Sequence, residues 1–325
     1  MILVTGGTGR IGNVLVKELN KKYGRVRALV RESSDLKPLE GCDCEYVYGD
    51  VLDTKSLEKA VEGVDTIFHL AGIISISTHD EDLTLNTNIQ GTKNIVDICV
   101  EHNIPLIYTS SIHAINALED GSLISEETEL ATDYATKRGI YDYSKATATQ
   151  YVLDKMRDSG LKAIIVHPTG VSGPYDYRPS FFGMGMVSLV KSGIKTTISG
   201  CYDYVDVRDV VDAILKAYEL KKYGERYILS GEALCMDDYA EYLKEFANIK
   251  TKTSLLDKAT ALFMGVILSF FNKKAQITPY SVKTLHSNCN ISHEKATKEL
   301  GYNPMPVKES IRDQYLWFKE NGYLD

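Results

Sequence analysis

Short apolar runs alternate with longer amphipathic stretches through the first 170 residues of the chain. The runs ILVTG, VDTIFHLAG and LKAIIVHPTG are rich in Val, Ile and Leu and end in Gly, which predicts buried β-strands. Between them, apolar residues recur every three or four positions, the spacing of one helix face. Strands that alternate with helices predict an α/β fold with a doubly wound parallel sheet.

This alternation stops near residue 171, where Gly, Pro and aromatic residues accumulate in GPYDYRPSFFGMGM. A helix in DVRDVVDAILKAYELKK and a strand in RYILSG then resume it. We therefore expect a sheet domain of residues 1–170 plus 205–230. Residues 171–204 plus 231–325 would form a smaller, discontinuous substrate-binding cap.

Composition narrows the classes of function. The chain of 325 residues carries a formal net charge of −7, which argues against a nucleic-acid-binding protein, since such proteins usually carry a basic excess. Its six cysteines lack the spacing of a metal site, so we expect no metal and a reduced, cytoplasmic setting. A strand predicted at residues 2–4 leaves no room for a signal peptide.

The longest apolar run is ALFMGVILSFF at residues 261–271. It is shorter than the roughly 18 to 20 residues that span a bilayer, so we expect no integral membrane span. The run predicts a buried or pocket-lining helix. Contact with a membrane surface and a subunit interface are the alternatives.

A glycine-rich turn follows the first predicted strand. In TGGTGRIG, Gly6, Gly9 and Gly12 stand between that strand and the mouth of a helix. Glycine lets the backbone turn tightly and approach a ligand closely, and a helix N-terminus favours a pyrophosphate. The turn thus predicts a Rossmann-type dinucleotide site, although its spacing is G-x-x-G-x-x-G rather than G-x-G-x-x-G.

The end of the second strand bears on the choice of cofactor. An acidic residue about 20 positions after the glycines would bind the adenosine ribose of NAD. Arg31 stands there instead, with Ser33 and Ser34 beside it, and a guanidinium suits the 2′-phosphate of NADP. We therefore predict NADP, with NAD as the alternative through Glu32; a solvated surface arginine is the simplest alternative for Arg31.

Further cofactor contacts are expected after the third and fourth strands. Asp50 and Val51 would bracket the adenine, and Ala71 and Gly72 would let a cofactor ribose approach closely. Arg10 is a second candidate for phosphate binding, with a role on the helix surface as the alternative.

The pattern Tyr-x-x-x-Lys occurs twice in IYDYSKATATQYVLDK, as Tyr141 with Lys145 and as Tyr151 with Lys155. On a helix, each pair would share one face, one turn apart. At roughly 100° per residue, the first pair heads an apolar, sheet-facing stripe. The second pair lies at the edge of a polar half that also carries Ser144. Helix geometry therefore selects Tyr141 and Lys145 as the catalytic couple.

An inward-facing couple suits proton transfer. Tyrosine ordinarily titrates near pH 10, and a neighbouring ammonium favours the phenolate, so we expect Lys145 to lower the pKa of Tyr141. A third donor is expected where the next strand ends, among Thr109, Ser110 and Ser111. Adjacent serines on a strand cannot both face the site.

In their order, TGGTGRIG, GDVLD, FHLAG, NIQGTKN, YTSS, YDYSK, HPTGVSGP and YVDVRDVVDAI resemble the extended short-chain dehydrogenase/reductases. The resemblance covers most of residues 1–230 and is closest to the dihydroflavonol reductase and 3β-hydroxysteroid dehydrogenase branch. It implies that Tyr141 is the general acid/base, that Lys145 is its partner and that Ser111 orients the carbonyl. It also implies that Asn88 supports a proton relay, with a helix-surface asparagine as the alternative.

The motifs and the resemblance together predict one cofactor site. It comprises Gly6, Thr8, Gly9, Arg10, Ile11, Gly12, Arg31, Asp50, Val51, Ala71, Gly72, Asn88, Tyr141, Lys145, Pro168 and Val171.

Two residues depart from the family pattern. His167 stands before the proline of the sixth-strand motif, where the family usually has arginine, so the contact expected of that arginine is in doubt. His113 follows Ser111 and Ile112, whereas related dehydratases carry acidic residues after the catalytic hydroxyl. That difference argues against dehydration.

Three functions remain. The first is an NADP(H)-dependent reductase or dehydrogenase of a ketone or secondary alcohol, favoured by Arg31 and the tyrosine–lysine pair. The second is a nucleotide-sugar 4-epimerase with tightly bound NAD, which would need cap arginines such as Arg178. The third is a non-catalytic cofactor-sensing protein.

The residues of the cap indicate the class of substrate. Met and Phe residues in the cap and the run at 261–271 favour a bulky apolar small molecule, such as a steroid or flavonoid-like ketone, although packing of the small domain explains them equally well.

By the same resemblance to the extended short-chain dehydrogenase/reductases, helices near 87–102 and 141–157 would form a homodimer interface.

Overall fold

A computed structural model describes residues 1–74, 81–134, 139–271 and 277–325. Its strands are β1 Ile2–Thr5, β2 Val26–Val30, β3 Cys44–Tyr48, β4 Thr66–His69, β5 Leu106–Thr109, β6 Ala163–Pro168, β7 Gly170–Ser172, β8 Thr196–Ile198, β9 Cys201–Asp206, β10 Arg226–Leu229, β11 Glu232–Cys235 and β12 Ser254–Leu256. Its helices are α1 Arg10–Tyr23, α2 Thr54–Val61, α3 Glu81–Leu85, α4 Gly91–Glu101, α5 Ile140–Ser159, α6 Phe181–Lys191, α7 Val207–Glu219, α8 Met236–Ala247, α9 Lys258–Phe271, α10 Pro279–Leu285, α11 Glu294–Leu300 and α12 Val307–Glu320. A π-helical turn at Asn86–Gln90 joins α3 to α4.

The central sheet has seven parallel strands in the order β10-β6-β5-β4-β1-β2-β3. The strands predicted in ILVTG, VDTIFHLAG, LKAIIVHPTG and RYILSG are all present as β1, β4, β6 and β10, and the doubly wound α/β fold is confirmed. The chain passes to opposite sides of β1, which pairs with both β2 and β4. Ligands of such sheets bind where this reversal occurs, at the carboxyl ends of the strands.

Both faces of the sheet are buried, because successive side chains of a strand point to opposite faces. Val4 and Phe68 pack on one side with α1 and α7. Leu3 and Ile67 pack on the other side with α2, α4 and α5. Burial on both faces explains why the strands are continuous apolar runs rather than alternating ones.

The cap has its own core. Met186, Tyr204 and Phe318 are buried there, with Phe182 packed against them, so two of the cap residues considered for substrate contact are packing residues. The helix α11, predicted as part of the cap, contributes Ala296 and Leu300 to the core of the sheet domain instead. The division of the chain into domain and cap at the residues given above stays a prediction.

Two cysteines of the cap are joined. Cys201 of β9 and Cys235 of β11 face each other in antiparallel register and form a disulfide. The expectation that the cysteines are all reduced is therefore wrong. Their separation of 34 residues gave no sign in the sequence that the two strands pair.

The apolar run at 261–271 forms most of α9, but the expectation of a buried helix holds for one side only. Ala261 is fully buried, whereas Phe263 is 68% exposed and Val266 59% exposed. Among the described residues, no helix combines the length and the apolar character needed to cross a membrane.

Candidate active site

The glycine-rich turn brings the ends of β1 and β4 into close contact. Gly6 has a φ of 73°, and a Cβ placed on it would lie 2.6 Å from the backbone nitrogen of Ala71. A Cβ on Gly12 would lie 2.1 Å from the carbonyl oxygen of Gly6. No side chain fits at either position, so the turn presents bare backbone at the N-terminus of α1.

A cleft of about 320 Å³ opens beside this turn. Nine residues predicted to bind a cofactor line it, namely Gly6, Thr8, Gly9, Arg10, Arg31, Asp50, Val51, Ala71 and Gly72. The bare-backbone cradle and the elongated set of lining residues, which runs from β1 to the end of β3, fit a dinucleotide.

Two exposed cations line this cleft in addition to Arg10. Arg31 and Arg178 both line it, and both are exposed. Among the described residues, neither guanidinium has an ion-pair partner. Ser34 lies beside Arg31, since its hydroxyl accepts from the Arg31 backbone N–H at 3.0 Å. The prediction from sequence did not include Arg178 in the cofactor site, because it lies in the cap.

Arg10 is engaged within the protein. Its guanidinium donates to the carbonyl oxygens of Val171 and Gly173, at 3.2 and 2.8 Å, and pairs with the buried Asp176 at 2.9 Å. Arg10 therefore ties the glycine-rich turn to the loop after β7. A cofactor contact by Arg10 stays a prediction.

The other predicted cofactor residues lie close to the cleft without lining it. Asn88 is buried, so the alternative of a helix-surface asparagine is wrong. Its side chain accepts from the N–H of Ile73 at 2.8 Å and donates to the hydroxyl of Ser144 at 2.9 Å. Cofactor contacts stay predictions for the whole set, including Ile11, Gly12, Pro168 and Val171.

The three predicted catalytic side chains converge. Ser111, Tyr141 and Lys145 are each 6% exposed, and the side chain of Ser111 lies close enough to the phenol of Tyr141 to lower its pKa. Lys145 Nζ donates to the carbonyl oxygen of Thr109 at 3.0 Å. The group adjoins the cleft, because a Cβ on Gly72 would lie 3.5 Å from Lys145 Nζ.

Burial, rather than charge, dominates the titration of this group. Desolvation raises the pKa of Tyr141 to about 12, although the side chain of Ser111 opposes the shift. Desolvation also lowers the pKa of Lys145 to about 8. The expectation that the pKa of Tyr141 is lowered is therefore wrong, because removal of the phenol from water raises it.

The contacts at the end of β5 also show which of the two serines faces the site. The hydroxyl of Ser110 pairs with that of Thr149 at 2.6 Å, so it faces α5, whereas Ser111 faces Tyr141. His167, in β6, is buried, and its Nδ1 lies 3.1 Å from the carbonyl oxygen of Ser111. This histidine contacts the backbone of the donor, which is a different role from that of the arginine usual in the family.

The second tyrosine–lysine pair lies on the outer side of α5, as predicted. Tyr151 donates to Asp97 of α4 at 2.6 Å, and Lys155 pairs with the same carboxylate at 3.1 Å. These contacts join α4 to α5. The expected polar position of Ser144 is wrong, however: that residue is fully buried and receives the hydrogen bond from Asn88.

A polar network beside Tyr141 was not predicted. His113 Nδ1 lies 3.1 Å from Asp142 Oδ1, and its Nε2 lies 2.7 Å from the hydroxyl of Tyr202. The hydroxyl of Tyr280, from α10, donates to the same carboxylate. The ring of His113 also packs edge-on against Tyr141, with centroids 5.6 Å apart. Since Tyr202 and Tyr280 come from the cap, the network joins the cap to the catalytic helix.

Known proteins resemble the chain over nearly its whole length. The model of the NAD dependent epimerase/dehydratase family matches residues 2–229, from the start of β1 to the end of β10. "Sterol demethylase protein B" of Methylococcus capsulatus is 28% identical, over 99% of this chain and 99% of its own. A "3-beta-hydroxysteroid dehydrogenase" of Mycolicibacterium neoaurum is 26% identical, over 97% of this chain and 90% of its own. The crystal structure of gox2253 has a TM-score of 0.87 and 29% identity, over 100% of this chain and 99% of that one.

Proposed function

The chain belongs to the NAD dependent epimerase/dehydratase family, and we propose that it is an NADP(H)-dependent oxidoreductase acting on a ketone or secondary alcohol. The family consists of NAD(P)-dependent enzymes that act on hydroxyl and carbonyl groups. The proposal adds the reaction, the preferred cofactor and the class of substrate.

One observation carries the proposal: the buried group of Ser111, Tyr141 and Lys145 adjoins a cleft that fits a dinucleotide. A cofactor-sensing protein has no need of an acid and a lysine on the inner face of one helix with a serine hydroxyl beside them. A buried phenol at the edge of such a cleft suits proton transfer to a substrate oxygen.

Each side chain has a separable role in carbonyl reduction. Bound NADPH supplies the hydride. Ser111 donates a hydrogen bond that orients and polarises the substrate carbonyl, while the hydroxyl of Tyr141 gives its proton to the oxygen. Lys145, held by the carbonyl oxygen of Thr109, stabilises the resulting phenolate as a nearby cation. Oxidation of an alcohol reverses these proton movements.

The preference for NADP is supported by two exposed guanidinium groups at the cleft. Arg31, with Ser34 beside it, offers donors for a 2′-phosphate at the end of β2. Arg178 adds a second cation from the cap. Charge-assisted bonds to phosphate are among the stronger polar contacts in proteins.

A bulky apolar substrate, such as a steroid or flavonoid-like ketone, is supported by the surroundings of Tyr141. The ring of His113 packs against Tyr141, and the rings of Tyr202 and Tyr280 pack against His113 in turn. Two relatives carry names that refer to a sterol and to a 3-beta-hydroxysteroid.

The test follows oxidation of NADPH with a panel of steroid, flavonoid and small aliphatic ketones, with UDP-sugar epimerisation assayed in parallel. Tyr141→Phe should lose activity by about 100-fold or more, since it removes the acid but leaves the ring. Tyr151→Phe is the matched control from the same helix and should keep activity. Epimerisation without net cofactor turnover, or inactivation by Tyr151→Phe alone, would contradict the proposal.

We also propose a homodimer that uses the outer faces of α4 and α5. A monomer mass by light scattering at high protein concentration would reject it. The proposed location is the cytoplasm. Cell fractionation that recovers the protein outside the cytoplasmic fraction would reject it.

A further inference from the structure

An apolar surface on α9 faces away from the protein. Phe263, Val266 and Ile267 are 68%, 59% and 42% exposed and occupy one face of the helix, since they are three and four positions apart. On the opposite side Gly265 packs tightly, because a Cβ there would lie 3.0 Å from the carbonyl carbon of Thr278. This contact with the start of α10 holds the apolar face outward.

The chain around α9 is basic, although the protein is acidic. Residues 250–283 contain six lysines and one acidic residue, whereas the whole chain has a net charge of −7. Lys250, Lys252, Lys258 and Lys283 are exposed. Leu255 of β12, the strand that precedes this helix, is a further exposed apolar residue, at 50%.

We propose that this α9 surface, formed by Phe263, Val266 and Ile267 with Lys258 and Lys283 nearby in the chain, docks on the surface of an anionic lipid bilayer. A helix with an exposed apolar face and basic surroundings lies in the plane of the interface, with its apolar side chains in the headgroup region. At 14 residues, α9 is shorter than the about 20 residues needed to span the hydrocarbon.

The charge around α9 favours binding to a bilayer over association with a second copy of the chain. Face-to-face association through α9 would bring the lysines of two copies together, and like charges repel. Negative lipid headgroups instead attract each lysine close to the surface.

The α9 surface is one helix away from the catalytic tyrosine. The same α10 that packs on Gly265 carries Tyr280, whose hydroxyl reaches Asp142 beside Tyr141. Docking would therefore place the cap side of the active site near lipid, where bulky apolar ketones accumulate. This consequence rests on the proposed function; the docking itself does not.

Flotation with vesicles tests the docking without cofactor or substrate. The full-length protein should float with phosphatidylcholine vesicles that contain phosphatidylglycerol, and much less with phosphatidylcholine alone. Phe263→Ser with Ile267→Ser should weaken binding by about tenfold or more, since two exposed apolar side chains are lost. Leu316→Ser, which removes an apolar side chain of α12 that is 43% exposed, should leave binding unchanged.

A second pair of variants tests the charge. Lys258→Gln with Lys283→Gln should reduce the preference for anionic vesicles, and added salt should weaken the binding of the unaltered protein. Tyr141→Phe should float normally, which separates failure of this proposal from failure of the proposed function. Equal flotation of the Phe263/Ile267 variant and the unaltered protein, or no flotation at all, would overturn the proposal. So would a halved mass of that variant in lipid-free sedimentation, which would assign the surface to a second copy.

Discussion

Replacing Gly6 by alanine tests the close approach of β1 and β4. The substitution combines two penalties, because Gly6 has a φ of 73° and its Cβ would lie 2.6 Å from the backbone nitrogen of Ala71. The positive φ alone costs about 1–2 kcal/mol. Overpacking against a backbone that cannot rotate away adds about 1–3 kcal/mol. The free energy of unfolding should therefore fall by about 2–5 kcal/mol.

Gly160→Ala separates the two penalties. Gly160 ends α5 with a φ of 67°, and nothing lies within 4 Å of the position of its Cβ. This control should lose only about 1–2 kcal/mol. Urea unfolding followed by fluorescence gives both values, and fluorescence titration with NADPH gives the affinity. Gly6→Ala should also bind NADPH at least about tenfold more weakly, because the clash with Ala71 displaces the turn that lines the cleft, whereas Gly160→Ala should bind normally.

One result would refute the reasoning about the turn at Gly6. If Gly6→Ala were no less stable than Gly160→Ala and bound NADPH like the unaltered protein, the two strand ends would have moved apart freely. The turn would then be an ordinary glycine-rich loop, and its tight geometry would give no support for a dinucleotide site.

Four further predictions concern the cofactor and the catalytic group. Arg31→Ala should raise the KM for NADPH about tenfold and leave that for NADH unchanged; an equal effect on both cofactors would reject a 2′-phosphate contact. The pKa of Lys145 is about 8 in the folded protein, against an ordinary value of 10.5. Between these two pH values the unfolded chain binds the proton and the folded chain does not, so the free energy of unfolding rises with pH. Relative to Lys145→Met, the unaltered protein should gain about 1–2 kcal/mol between pH 8 and pH 9.5 in urea unfolding; parallel curves would show that the lysine is not desolvated. Because the pKa of Tyr141 is about 12, alcohol oxidation should quicken by up to about tenfold per pH unit from pH 7 to pH 9 while carbonyl reduction stays flat, and a flat oxidation profile would contradict that pKa. Tyr280→Phe should lose about 1.5–3 kcal/mol by removing a donor from a buried carboxylate, whereas Tyr239→Phe, whose hydroxyl has no hydrogen-bond partner in the described structure, should be neutral in the same unfolding assay.

Local periodicity was sufficient for much of the fold and for the choice between the two tyrosine–lysine pairs. The angle of Tyr141 around its helix depends on the preceding and following few residues, and the apolar stripe that it heads must face the sheet. The same procedure misplaced Ser144, because burial there is set by Asn88 from the helical stretch that joins α3 to α4. Periodicity describes a helix in isolation and cannot include a polar partner on a neighbouring element.

Long-range contacts account for most of the failures. His113 is separated from Tyr202 by 89 residues and from Tyr280 by 167, and nothing local marks these three as neighbours. The pairing of Cys201 with Cys235 likewise depends on the register of β9 with β11. For α9, apolar composition predicted burial, but no second layer of the described structure covers its outer face.

The titration of Tyr141 shows why position on the correct face does not settle chemistry. The sequence indicated a lysine one turn away, and charge alone would have made the phenol a stronger acid. The fold adds complete desolvation and the carboxylate of Asp142, both of which raise the pKa, while Ser111 lowers it. A phenol in this setting keeps its proton at neutral pH and is ready to donate it, which is what reduction of a carbonyl requires. Since Tyr280 holds Asp142 from the cap, the cap also helps to set the protonation of the acid.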